Sequence, residues 1–111
     1  MAKLPNVEKA IVDLHKLENY CLDPQHTRGK HKAKVFKSVL SLTKREAVHL
    51  KDILLSEIKS NEAYEINSDI FGTRYYADFR IVYKNKTAEI RSIWIVRPEE
   101  NIPRLITCYI K

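Results

Sequence analysis

The chain has 111 residues, enough for one domain with its own core and too few for two of ordinary size. With 44% hydrophobic and 31% charged residues it is not an intrinsically disordered chain, and no apolar run approaches the length of a transmembrane helix. The formal charge of +6 is concentrated: seven basic residues and no acidic one lie from Pro24 to Arg45, leaving 13 basic against 14 acidic residues elsewhere.

Asp13 suits the N-cap of a short first helix, with Leu14, Leu17 and Cys21 at the spacing of a buried stripe and Asp23-Pro24 as its stop. Before it, Ala10–Val12 reads as a peripheral strand or a helix lead-in. After Gly29 the spacing predicts a second helix over about Lys30–Leu40. Ala33, Phe36, Val39 and Leu40 would share the core face, with Lys30, Lys34 and Lys37 opposite. Thr43-Lys44-Arg45-Glu46 has the form of a capping box and opens the longest helix, to about Ser60, with Ala47, Leu50, Leu54 and Ile58 inward. From Ala63 the period changes to two. Tyr75, Ala77, Phe79, Ile81 and Tyr83 fall on one side of a strand, and Lys84-Asn85-Lys86 reads as a hairpin turn. In Thr87–Arg97 the alternation slips near Arg91-Ser92, which predicts a bulge there. After a turn over Pro98–Pro103, the last strand should carry Ile106, Cys108 and Ile110 on one face and Leu105, Thr107 and Tyr109 on the other. The expected fold is α+β: a single domain over residues 1–111, with helices over about 13–60 and a roughly four-stranded antiparallel sheet over about 63–110.

The acid-free basic stretch predicts a polyanion as partner, because each neutralised phosphate releases condensed counterions. A solvated helix face is the plainer alternative. MAKLPNVEKA lacks the apolar stretch of a secretory signal and no lipidation motif closes the chain, so a cytoplasmic location is expected. Cys21 and Cys108 show no metal-ligand or redox spacing and read as plain thiols of a reducing compartment. His15 and His49 have no evident partner. His26 and His31 differ, lying in HTRGKHKAKVF among Arg28, Lys30, Lys32 and Lys34. Metal-free RNA cleavage needs a group to take the 2′-hydroxyl proton, another to protonate the leaving 5′-oxygen, and fixed cations for the pentacoordinate phosphate. Thr107 and Tyr109, two apart on a strand, are suited to hold a phosphate or stack on a base, and Arg74 is delivered beside the sheet by Gly72-Thr73-Arg74-Tyr75. Trp94 reads as core.

Leu4-Pro5-Asn6, the run Asp23–Phe36, Phe71–Tyr75 and Leu105–Tyr109 together resemble a family of small bacterial proteins without assigned function. More distantly, the layout is similar to the barnase/EndoU/colicin D/RelE superfamily of metal-independent ribonucleases. Its toxin branches carry a K-H-A-x-x-F-like segment, a G-T-x-Y strand and a closing strand with a Thr-x-Tyr-like pair. The matches here are Lys30-His31-Lys32-Ala33-Lys34-Val35-Phe36, with one residue inserted between histidine and alanine, Gly72-Thr73-Arg74-Tyr75, and Thr107-Cys108-Tyr109. The resemblance implies an endoribonuclease toxin that needs no cofactor or metal and is neutralised by an acidic antitoxin. His31 would be its general acid/base, with His26 as rival because of the insertion. Arg28, Lys30, Lys32 and Arg74 would steady the phosphate, and Thr107 and Tyr109 would position it. A non-catalytic nucleic-acid-binding module and a basic protein-interaction domain are the alternatives.

Overall fold

The switch from a period of 3.6 to a period of two divides the molecule into a helical layer and a sheet, in the order the sequence predicts. The computed structural model describes residues 4–111. Helix α1, Leu14–Lys16, starts at Asp13, whose carboxylate accepts the His15 N–H at 2.9 Å, and continues through a π turn at Leu17–Cys21. Helix α2 spans Lys30–Leu40. Helix α3, Ala47–Ser60, is preceded by a 3-10 turn at Lys44–Glu46, where the expected capping box between Thr43 and Glu46 is formed. Ala47, Leu50, Leu54 and Ile58 of α3 are all buried. On α2, Ala33, Phe36 and Leu40 are buried, but Val39, expected with them, is 38% exposed. It lies about 100° around the helix from Leu40, so a narrow stripe seats α2 and leaves Val39 on its flank.

Four antiparallel strands follow as a meander in the order β1-β2-β3-β4: Tyr64–Asp69, Gly72–Tyr83, Lys86–Val96 and Pro103–Ile110. Lys84 and Asn85, both with positive φ, make the two-residue turn between β2 and β3. The inner face of the sheet, against the helices, carries Ala77, Phe79 and Ile81 of β2 and Ala88, Ile90, Ser92, Trp94 and Val96 of β3, all buried. This unbroken alternation in β3 corrects the bulge expected at Arg91-Ser92. Ser92 is polar yet faces the core, donating to the Ala77 carbonyl at 2.8 Å and accepting from Trp94 Nε1 at 2.9 Å, so burial leaves neither group unsatisfied. The irregularities lie in the edge strands. Ile66 is skipped between the Glu65 and Asn67 pairings of β1, and Ile106 between the Leu105 and Thr107 pairings of β4. The extra residue at Ile106 also corrects the expected faces of β4, because it puts Leu105 on the buried side with Cys108.

The β4 edge is covered in two ways. The segment before α1 bridges it, with Ile11 N–H donating to Pro103 O at 2.9 Å and Leu105 N–H to Ile11 O at 3.0 Å, so Ala10–Val12 is the peripheral strand-like option. Next along, α1 with its π turn and α2 pack against β4. No helix among the described residues is long and apolar enough to cross a membrane.

Candidate functional site

Where α2 and the π turn meet β4, a lysine is held among hydroxyls and rings. The buried stripe of α2 places Lys32 beside the sheet edge, half-buried. Its ammonium donates to Tyr20 Oη at 3.1 Å and to Thr107 Oγ1 at 3.3 Å, and lies 4.9 Å from the Tyr20 ring centroid and 5.3 Å from that of Tyr109. An ammonium has three N–H donors. Two are engaged, leaving one for an outside acceptor, and no carboxylate among the described residues pairs with Lys32. Lys32, Thr107 and Tyr109, drawn from opposite ends of the chain, are thus brought together as the sequence expects.

Thr107 passes the polarity inward. Its hydroxyl accepts from Lys32 and is 3.6 Å from Cys21 Sγ, to which it can donate. Interaction with the neighbouring Cys108 is the main reason the Cys21 pKa lies below that of an ordinary thiol, with Thr107 and the Lys32 charge adding to it. Cys108 gives up its proton less readily because Cys21 lies beside it and because it is buried. Two cysteines that sequence spacing left unrelated are therefore buried neighbours behind the lysine.

His26 is half-buried, its ring 4.8 Å from that of Tyr20 and edge-on to it. Its Nδ1 accepts the backbone N–H groups of Arg28 and Gly29, both at 3.0 Å, so the neutral ring carries its proton on Nε2. That makes His26 a cap for the turn into α2, with Nε2–H as its remaining hydrogen-bond donor. Gly29 is required here because a Cβ would lie 2.2 Å from the Tyr20 carbonyl oxygen. His31 stands exposed on the first turn of α2, with no hydrogen bond or ring contact among the described residues. Neighbours on a helix diverge by about 100°, so it points away from the Lys32 cluster. Arg28, Lys30 and Lys34 are exposed and form no ion pair among the described residues. Lys30 and Lys34, two places either side of Lys32, project from the opposite face of α2.

Arg74 is not brought to this site. It lies on β2, two strands from β4, and bonds Asn67 at 3.1 Å and Asp69 at 2.8 Å, holding the Asp69 carboxyl below its ordinary range. It lines a separate cleft of about 350 Å³ with Lys16, Arg97 and Arg104. Two neighbours that sequence reasoning missed are Tyr20 and Arg91. Arg91 lies opposite Tyr109 and forks onto both oxygens of Asp78 at 2.8 Å, which keeps Asp78 ionised to lower pH. Tyr20 carried a signal, standing one place before the buried Cys21. Arg91 carried one only once the β3–β4 register is known.

No curated protein and no solved structure matches the chain. One family model does, spanning residues 3–111, and its description is a domain of unknown function. The chain belongs to that family, DUF6883.

Proposed function

We propose that this protein is a metal-independent endoribonuclease that grips an RNA phosphate at Lys32. The observation that carries the reading is the half-buried ammonium with no carboxylate partner among the described residues, fixed by Tyr20 and Thr107 with one N–H to spare. A cation ordered before the ligand arrives stabilises developing charge without reorganisation. Further support comes from the acid-free basic helix and from the similarity of the layout to the barnase/EndoU/colicin D/RelE ribonucleases. In the reaction, the 2′-oxygen bonds to phosphorus as the bond to the 5′-oxygen breaks, leaving a 2′,3′-cyclic phosphate and a 5′-hydroxyl. Lys32 and the Thr107–Tyr109 side chains steady the non-bridging oxygens. His31, with both ring nitrogens unengaged, takes the 2′-hydroxyl proton, and a solvent water protonates the leaving 5′-oxygen, its hydroxide then recovering the proton from the His31 ring. As a toxin, the protein would be restrained by an acidic antitoxin lying over α2.

A second reading, a non-catalytic RNA-binding module, is favoured by the direction of His31, which diverges from Lys32 along α2. Incubation of wild type, Lys32→Ala and His31→Ala with total RNA in EDTA separates the two. A nuclease gives cyclic-phosphate ends, with activity down about 100-fold or more in each variant. RNA binding by all three proteins without cleavage overturns the nuclease and leaves the module.

A further inference from the structure

The helices cover one face of the sheet, and the other face carries a continuous line of rings and cations. On β1 and β2, Tyr64 and Tyr76 lie directly opposite each other, their rings 5.4 Å apart and 33° from parallel. The Arg91 guanidinium on β3 sits 4.3 Å from the Tyr76 ring centroid, and Arg91 stands directly opposite Tyr109 on β4. The Tyr109 ring is 5.3 Å from the Lys32 ammonium. The line thus crosses every strand, spans about 14 Å at ordinary strand spacing, and ends at the lysine with the spare donor. None of these groups is needed for the core, which lies on the opposite face. Tyr64 is 48% exposed and Tyr76, Arg91 and Tyr109 are half-exposed.

We infer that this open face is a stacking platform for the unpaired bases of a single-stranded RNA whose phosphate lies at Lys32. The inference rests on the reading of Lys32 as a phosphate site and adds the form of the substrate. Unpaired bases stack on tyrosine rings and on guanidinium planes whatever their sequence, and a four-stranded sheet holds about two or three of them. A duplex keeps its base faces to itself and would meet only the lysines. The ladder's continuity with Lys32 selects a polyanion that also carries flat rings.

The test is fluorescence anisotropy with the full chain and three probes of equal length: 2′-O-methyl oligouridylate, which has no nucleophilic hydroxyl and is not cleaved, an abasic chain of the same charge, and a 2′-O-methyl RNA duplex. The platform predicts that wild type binds the base-bearing strand about tenfold or more tighter than the abasic one. Tyr76→Ala should remove most of that difference, Tyr76→Phe should keep it, and Lys32→Ala should weaken both single strands. Circular dichroism and the urea midpoint confirm that each variant is folded. Equal affinity for base-bearing and abasic chains overturns the platform, and if Lys32→Ala still weakens both, the phosphate site survives it. Preference for the duplex also overturns the platform. Failure of wild type to bind any probe overturns both readings.

Discussion

At the scale of single residues, Cys21 is the most unusual group in the molecule. A buried sulfur beside Cys108 and Thr107, with an ammonium nearby, is better stabilised as thiolate when folded than when unfolded. Its folded pKa is depressed, so its contribution to stability is complete above the unfolded thiol pKa and fades as pH falls through the folded value. Cys108 works in the opposite sense, its raised pKa costing stability where an unfolded thiol would ionise. The expected result is a thiolate ultraviolet absorbance in native protein at neutral pH, absent from Cys21→Ser and reduced in Thr107→Val, which removes the hydroxyl donor. An absorbance that appears only in the ordinary thiol range would show that the sulfur is not stabilised as drawn.

Individual elements convert those residues into a site. The turn between α1 and α2 makes its own frame: the His26 ring caps the Arg28 and Gly29 amides and packs on Tyr20, while Gly29 rests against the Tyr20 carbonyl. A methyl group at Gly29 has no room. Gly29→Ala should therefore destabilise the protein by about 1–3 kcal/mol in urea unfolding and should also weaken RNA binding, because the Tyr20 that steadies Lys32 moves with the turn. Thr43→Ala, which removes the capping box of α3, should cost about 1 kcal/mol and leave RNA affinity unchanged. If both variants lose RNA affinity in proportion to stability, the turn has no separate role at the site. Helix limits, the α3 core positions and the alternation of β2 were legible because each depends on local periodicity and capping. The β4 faces and Val39 were not. A one-residue bulge on an edge strand leaves no periodic trace when the flanking residues are all β-formers, and how wide a stripe a helix buries depends on its partner. The site was legible in part for the same reason. Lys32, Thr107 and Tyr109 stood out by type, whereas Tyr20, Cys21 and Arg91 join them only through tertiary pairing between distant parts of the chain.

Across the whole molecule, charge and ring chemistry are divided between two surfaces that meet at Lys32. The helix α2 carries cations without carboxylate partners among the described residues, while much of the sheet's charge is internally balanced, as in Asp78 with Arg91 and Lys111 and Glu100 with Arg104. Paired cations have no condensed counterions to release from a nucleic acid without first losing their partners, so the salt dependence of RNA binding should report α2 and not the sheet. For a single strand each phosphate contact adds about 0.7 to the slope of log affinity against log salt. Lys30→Gln combined with Lys34→Gln should flatten that slope by roughly one to one and a half units while preserving the preference for base-bearing over abasic chains. Arg74→Gln should change the slope little, since Arg74 is already paired with Asp69. A slope that falls with Arg74→Gln and not with the α2 pair would move the nucleic-acid path from α2 to the cleft of Lys16, Arg97 and Arg104.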